Sequence, residues 1–385
     1  MATFFVSCPL GYENSLAQEI KNFWFEMIDL DGLPTRSLPP EFEILQGGLE
    51  LNTADHLGFQ INLFSKLANR VLLRITKFEA RYFDQFEKSL SKVEFEKFLD
   101  LEFLKGQVQF KVESHKSRLN NEKNLLEAAA NALKKKNIKI DDKALQTVYA
   151  RIEKDRVTLS LDTSGEHLHR RGYSSFRGEA PLRETLAAYM VMKLKQNVLI
   201  DENLILLDPF AGSGTLLFEA ASSHLPNLER DYSWLHFKSA PKLFKSDSWK
   251  KNYRWFADSV KTRLWAVDKD EKSAVNIAQN EIDFKSIFHL NEINLKTETK
   301  DSREISFETI PGKFVWAICN PPYGIRLADE HAREVIEDLE SGLDGVIVIH
   351  PEKWKFKFKK MKLKEIEDFS NQGLNLKLSI YRKVL

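Results

Sequence analysis

Two short runs in this chain carry residue types that could do chemistry. The first, Asn320-Pro321-Pro322-Tyr323, follows Phe314–Cys319, an apolar run that reads as a buried strand. Proline fixes φ and removes a backbone donor, so the carbonyls at this strand end are held stiff and free to accept. The Asn320 side-chain oxygen and the Pro321 carbonyl can both accept from an exocyclic NH2, and the Tyr323 ring can stack on a flat base. The set suits presenting a planar ring that bears an amine. The plain alternative is a proline-rich strand-to-loop turn.

The second run is Asp208-Pro209-Phe210-Ala211-Gly212-Ser213-Gly214-Thr215. It joins the strand candidate Leu204–Leu207 to a good helix former, Leu216–Ala221. Strand, glycine turn and helix N-terminus are the setting in which a nucleotide-type ligand lies against backbone amides. Gly212 and Gly214 permit positive φ and close backbone approach. The spacing is not G-x-G-x-x-G, and no lysine follows the second glycine, which argues against dinucleotide and triphosphate sites. Together the two runs resemble the signatures of S-adenosylmethionine-dependent amino-methyltransferases. The resemblance implies a cofactor site at Asp208, Pro209, Gly212, Gly214 and Thr215, completed by Asn320. It also implies a target-amine site at Asn320, Pro321, Pro322 and Tyr323.

The elements that must position these runs alternate between strand and helix from about residue 180 onward, which predicts a parallel-rich sheet covered on both faces. After Leu204–Leu207 come Leu264–Val267, ending in Asp268, then a helix over Glu271–Asn280 and a third strand at Ile287–Leu290. Phe314–Cys319 and Gly345–Ile349 follow, and Leu374–Tyr381 alternates as an antiparallel edge strand should. Asp268 ends its strand as the ribose-binding acid does in doubly wound nucleotide folds; an ordinary helix-capping Asp is the alternative. An adenine-binding acid is expected after the third strand, where Glu292 is preferred over Asn294. The gap between Asp208 and Asp268 is twice the roughly 30 residues of a compact βαβ unit, so an insert lies between them, at about 222–262.

Residues 1 to about 165 mix short strands and helices. Ser7–Glu13, Gly47-Gly48-Leu49, Asn69–Leu72 and Lys116–Leu119, in that order, resemble the THUMP-containing N-terminal half of RNA-modifying enzymes, preceded by a ferredoxin-like segment. With the junction Asp162–Tyr173, and the insert's Pro226-Asn-Leu-Glu-Arg230, the chain is similar to bacterial THUMP methyltransferases that make N2-methylguanosine in large-subunit ribosomal RNA. The implied layout is a ferredoxin-like segment at 1–45, a THUMP RNA-binding domain at 46–161, a junction at 162–180 and a Rossmann-like class I methyltransferase domain at 181–385. A tRNA guanine-N2 methyltransferase shares that architecture, and an inactive RNA-binding protein on the same fold is the alternative from another class.

The whole chain bounds these expectations. It has 385 residues, with 57 Lys and Arg against 56 Asp and Glu, so RNA must be met by local segregation of charge rather than by a basic protein. Lys116, Arg118 and Lys134-Lys135-Lys136 are the candidate phosphate contacts, and Lys353–Lys360 is a further basic run. Cys8 and Cys319 are too few for a disulfide framework, which suggests a reducing compartment, hence cytoplasm. No apolar stretch approaches a membrane span, and His167-x-His169 lacks the third ligand a metal site would need. An amine of guanine has its lone pair delocalised into the ring. Catalysis would therefore consist of positioning and electrostatics, with no Brønsted base expected.

Overall fold

The computed structural model describes residues 1–174, 176, 182–200, 203–256, 262–307, 314–322, 329–371 and 374–384. It divides into two compact units. One comprises Met1–His169 with Leu228–Tyr253, the other Arg170–Asn227 with Arg254–Leu385.

The first unit is built on an eight-stranded sheet of order β2-β3-β1-β4-β8-β7-β5-β6. Its strands are β1 (Ala2–Ser7), β2 (Phe42–Leu45), β3 (Gly48–Thr53), β4 (Arg70–Glu79), β5 (Gln107–His115), β6 (Lys139–Ile140), β7 (Thr147–Glu153) and β8 (Arg156–Asp162). Helices α1 (Glu13–Phe23), α2 (Asp55–Phe64), α3 (Phe83–Leu90) and α4 (Glu122–Lys134) accompany them. Strands such as β7 alternate apolar and polar residues, and the apolar set faces the core. The expected boundary between residues 45 and 46 falls in the turn of the β2–β3 hairpin, so the sheet runs on across it.

The insert segment Leu228–Tyr253 belongs to this first unit. Trp234 stacks on Phe59 with centroids 5.3 Å apart, Phe244 packs edge-on against Trp234, and Trp249 packs edge-on against Phe244. Tyr253 packs on Phe64 and its hydroxyl meets the side chain of Gln60. Arg230 of the Pro-Asn-Leu-Glu-Arg run donates to the carbonyls of Glu166, His167 and Leu168. The aromatic residues of Leu228–Tyr253 are therefore core residues.

The second unit holds a seven-stranded sheet of order β11-β10-β9-β12-β13-β15-β14. The strands are β9 (Leu204–Asp208), β10 (Arg263–Asp268), β11 (Leu295–Thr299), β12 (Phe314–Cys319), β13 (Gly345–Pro351), β14 (Met361–Asn371) and β15 (Leu374–Lys383). The five strands from β11 to β13 are parallel, and β15 is antiparallel to both neighbours. Helices α5 (Glu184–Asn197), α6 (Thr215–Ser222), α7 (Glu271–Phe288) and α8 (Asp329–Asp338) alternate with them. β9 is buried at every position, as a central parallel strand covered on both faces must be.

Two expectations fail here. Residues Ile287–Leu290 are not a strand, because α7 continues to Phe288 and ends on His289 in the left-handed conformation, at φ 54°. Ile277, Phe284 and Phe288 lie buried along that helix, so its apolar face runs through the predicted strand. The third strand is β11, eight residues further on. β15 is antiparallel as expected but is not the edge; β14 covers it on the outside. Among the described residues no helix is long and apolar enough to cross a membrane.

Candidate active site

In the second unit the C-terminal ends of β9, β10 and β12 place the two chemical runs at one edge of the sheet. Parallel pairing sets Ala317 beside Leu207 and Ala266 beside Asp208. The Asp208 turn and the Asn320 run therefore leave neighbouring strands on the same side, the position where open α/β sheets bind ligands.

The turn after β9 is built from its glycines. Gly212 and Gly214 have φ of +52° and +80°, conformations costly for other residues. A Cβ on Gly214 would come within 2.9 Å of Phe218. A Cβ on Gly212 would meet nothing within 4 Å, so this residue faces open space at the mouth of the turn. Asp208 is buried, and its carboxylate accepts from the amide of Phe210 at 3.0 Å. Burial pushes its pKa up to about 8; the Phe210 amide opposes that rise and the charge of Asp268 adds to it. Burial, with the nearby Asp208, also raises the Cys319 thiol well above its ordinary range.

Asp268 ends β10 and reaches back across the strand ends. Its Oδ2 accepts from the amide of Gly212 at 2.8 Å and its Oδ1 from the amide of Asp270 at 3.0 Å. The carboxylate braces the glycine turn and keeps lone pairs for a diol. After β11 the chain returns to the same place: Lys300 donates its amide to the Asp268 carbonyl, and Ser302 donates its hydroxyl to the Pro209 carbonyl.

This corrects the assignment of Glu292. That residue is exposed and lies before β11, at the opposite end of the strand from the glycine turn. The acid that follows β11 is Asp301, held well below the usual carboxylate range by hydrogen bonds from the Arg303 side chain and amide. The sequence hid it because the strand that precedes it is short and largely exposed.

Asn280, on α7, was also missed. Its side chain is buried and makes three hydrogen bonds. Nδ2 donates to the carbonyls of Phe176 (2.9 Å) and Ser213 (3.1 Å), and Oδ1 accepts from the Phe176 amide (3.1 Å). One amide thus clips Phe176 of the junction to the glycine turn. Behind that turn, Arg171 forks onto Glu219, which also receives the Tyr173 hydroxyl, in a network buried from water.

At the end of β12, Asn320 Oδ1 is buried and, among the described residues, has no hydrogen-bond partner. Leaving such an acceptor unmet costs about 1–3 kcal/mol. Pro321 is buried behind it and Pro322 is exposed. Tyr323 lies outside the described residues. A buried acceptor without a donor, beside a turn with open space, fits a ligand that brings an N–H.

The basic candidates fall in the first unit. Lys116 and Arg118 are exposed at the entry to α4, where the Arg118 amide donates to Asp155. Lys134–Lys136 lie at its other end, about 20 Å away for a helix of this length. They form two clusters rather than one, and Lys135 is already paired with Glu87 at 2.6 Å. Among the described residues no group of three His, Cys, Asp or Glu side chains could hold a metal ion.

The parallel sheet of this order, with a glycine turn after its central strand and an acid ending the next, defines a Rossmann-like methyltransferase fold. Two solved structures share it along the full chain. They are a possible methylase from Clostridium difficile 630 (TM-score 0.75, 24% identity, covering 100% of this chain and 98% of that one) and SMU.472 complexed with SAH (TM-score 0.74, 19% identity, covering 100% and 98%). Residues 171–342 match the family described as RMKL-like, methyltransferase domain. Among curated relatives, the ribosomal RNA large subunit methyltransferase K/L of Pseudomonas aeruginosa is 29% identical over 350 residues, which are 85% of this chain. The chain spans 44% of the length of that relative.

Proposed function

We propose that this protein transfers a methyl group from S-adenosylmethionine to the exocyclic N2 amine of a guanine in RNA, with large-subunit ribosomal RNA as the substrate. The observation that carries it is the unpartnered Asn320 Oδ1 at the strand end beside the glycine turn. The similarity to ribosomal RNA large subunit methyltransferase K/L supports the choice of substrate.

The residues divide the work. Asp208, Pro209, Gly212, Gly214 and Thr215 cradle the cofactor's amino-acid end, and Asp268 accepts from the ribose hydroxyls. Asp301 and Ser302, which follow β11, stand where the adenine would lie, in place of Glu292. When bound, the cofactor supplies an electrophilic methyl on a sulfonium, a strong leaving group. Asn320 and the Pro321 carbonyl accept from the guanine NH2 and turn its lone pair toward the incoming methyl. Both acceptors are already fixed by the strand end, so little reorganisation is needed at the moment of reaction. Tyr323 stacks on the base and offsets, by about 1–3 kcal/mol, part of the cost of taking it out of its stack. The N-terminal region, of THUMP type, supplies RNA affinity through Lys116, Arg118, Lys134 and Lys136.

Labelled methyl transfer to purified ribosomal RNA and tRNA, followed by nucleoside analysis, tests this. N2-methylguanosine in the large ribosomal RNA is expected. Label confined to tRNA would make this a tRNA enzyme, and no label with either, together with no cofactor binding, would leave an inactive RNA-binding protein.

A further inference from the structure

Between β13 and β14 the chain crosses the sheet with no helix. It leaves β13 at Pro351, on the edge where Asn320 ends β12, and enters β14 at Met361, paired with Lys383 at the opposite edge. The connecting residues alternate. Trp354 is buried in the core, and Phe356 and Phe358 pack against it, their rings stacked at 5.3 Å and each edge-on to Tyr381. Lys355, Lys357 and Lys359 between them are exposed. Three rings turned inward fix the backbone and force the three lysines outward on one side. Alternate residues of a chain lie at most about 7 Å apart, which bounds the spacing of their stems. That is the order of the step between phosphates along an extended single strand.

The acids nearest this segment are spent mainly on its backbone, although the charge of Lys359 also acts on Glu340. Glu337 accepts from the backbone amide of Lys357 at 2.7 Å. Glu340 accepts from the amides of Lys359, Lys360 and Met361 at 2.6–2.9 Å. Glu352 is engaged by Lys377. Among the described residues, the ammonium groups of Lys355, Lys357 and Lys359 pair with no carboxylate. The carboxylates stiffen the backbone and leave the row of cations open to solvent. An ordinary solvated face has mixed signs; this row has one sign, a rigid spacing and a start beside the catalytic edge.

We propose that Lys355, Lys357 and Lys359 form a ridge that tracks the phosphates of a single-stranded RNA segment and leads it to Asn320. The proposal rests on the RNA substrate argued above and adds a surface on the methyltransferase unit itself. The ridge supplies backbone contacts without base readout, as positively charged grooves for single strands do.

The test is equilibrium binding of a labelled single-stranded RNA oligonucleotide to the full chain across a salt series. Each phosphate neutralised on a single strand contributes about 0.7 to the slope of log affinity against log salt. The variant K355Q/K357Q/K359Q should lose about 2 from that slope, while K355R/K357R/K359R should keep it. Calorimetry with S-adenosylhomocysteine should give the same affinity for all three proteins, which checks that the site remains folded. Should the triple variant fail to fold, K355Q alone should lose about 0.7 from the slope. An unchanged slope and affinity in the glutamine variants, with wild-type binding intact, would overturn the ridge and leave the RNA substrate standing. A wild-type chain that binds no RNA would sink both.

Discussion

Asp268 receives the backbone amide of Gly212 on Oδ2 at 2.8 Å, so the acid that ends β10 and the turn that follows β9 are one mechanical unit. The carboxylate has two tasks, bracing the turn and accepting from a ribose. Asp268→Ala removes both. Cofactor affinity should fall by about 1.5–3 kcal/mol, the worth of hydrogen bonds to a charged group. Titration calorimetry with S-adenosylhomocysteine measures it, and an unchanged dissociation constant would reject the assignment.

Asn320 contrasts with Asp268 because its acceptor is unmet among the described residues. Its partner in the proposed reaction is the base. Asn320→Ala should therefore cut methylation by at least a hundredfold while cofactor affinity changes by less than about threefold, a split that one lost transition-state contact produces. Tyr323→Ala should behave in the same direction. Loss of cofactor binding with retained RNA binding in either variant would reverse the division of roles.

Asp208 makes a pH prediction with a definite sign. Its folded pKa is raised from 3.8 to about 8, so the folded chain holds a proton that the unfolded chain has lost between those values. This group's contribution to stability is therefore greatest at low pH and falls as pH rises from about 4 to about 8. Binding a cationic cofactor beside it favours the ionised form, so at pH 7 binding should release a proton. Calorimetry in buffers of different ionisation enthalpy should detect that release for the wild type and lose it in Asp208→Asn. Equal proton release by both proteins would mean that another group titrates.

What the sequence showed and what it hid follow from burial. β9, β12 and β13 each carry a near-continuous run of buried apolar residues, so they are legible, and with them the Asp208 and Asn320 runs and the acid at Asp268. β11 reads Leu-Lys-Thr-Glu-Thr on an exposed edge and has no apolar signature, while the buried end of α7 imitates a strand at Ile287–Leu290. That single exchange placed the expected position after the third strand at Glu292, before β11, rather than at the residues that follow β11. β14 was overlooked because charged residues alternate along its exposed edge. Asn280 is one polar residue in an amphipathic helix; its three bonds join segments far apart in the chain, and nothing local announces them.

Asn280→Ala should loosen the clip between Phe176 and the Ser213 carbonyl. The position touches no reacting atom, so the effect should appear in cofactor affinity, as a weakening of about tenfold, with the KM for RNA nearly unchanged. Asn280→Asp keeps the acceptor for the Phe176 amide but replaces the donor with a charge facing two carbonyls, and should be worse than alanine. Parallel losses in melting temperature and in both KM values would point instead to a general packing role.

The insert makes the last prediction. Its rings Trp234, Trp249 and Tyr253 are buried in the first unit, where their partners Phe59, Phe64 and Gln60 belong to α2. A fragment of residues 170–385 keeps the insert and discards those partners. It should expose a contiguous aromatic surface and self-associate. Replacing residues 228–253 in that fragment by a flexible Gly/Ser linker removes the surface and leaves the second unit's sheet whole. The shortened fragment should stay monomeric in sedimentation and bind S-adenosylhomocysteine within about threefold of the full chain, since every proposed cofactor contact lies outside the insert. It should methylate RNA poorly, lacking Lys116, Arg118, Lys134 and Lys136. Two results would count against this account: a longer fragment as monomeric as the shortened one, or a folded shortened fragment that fails to bind.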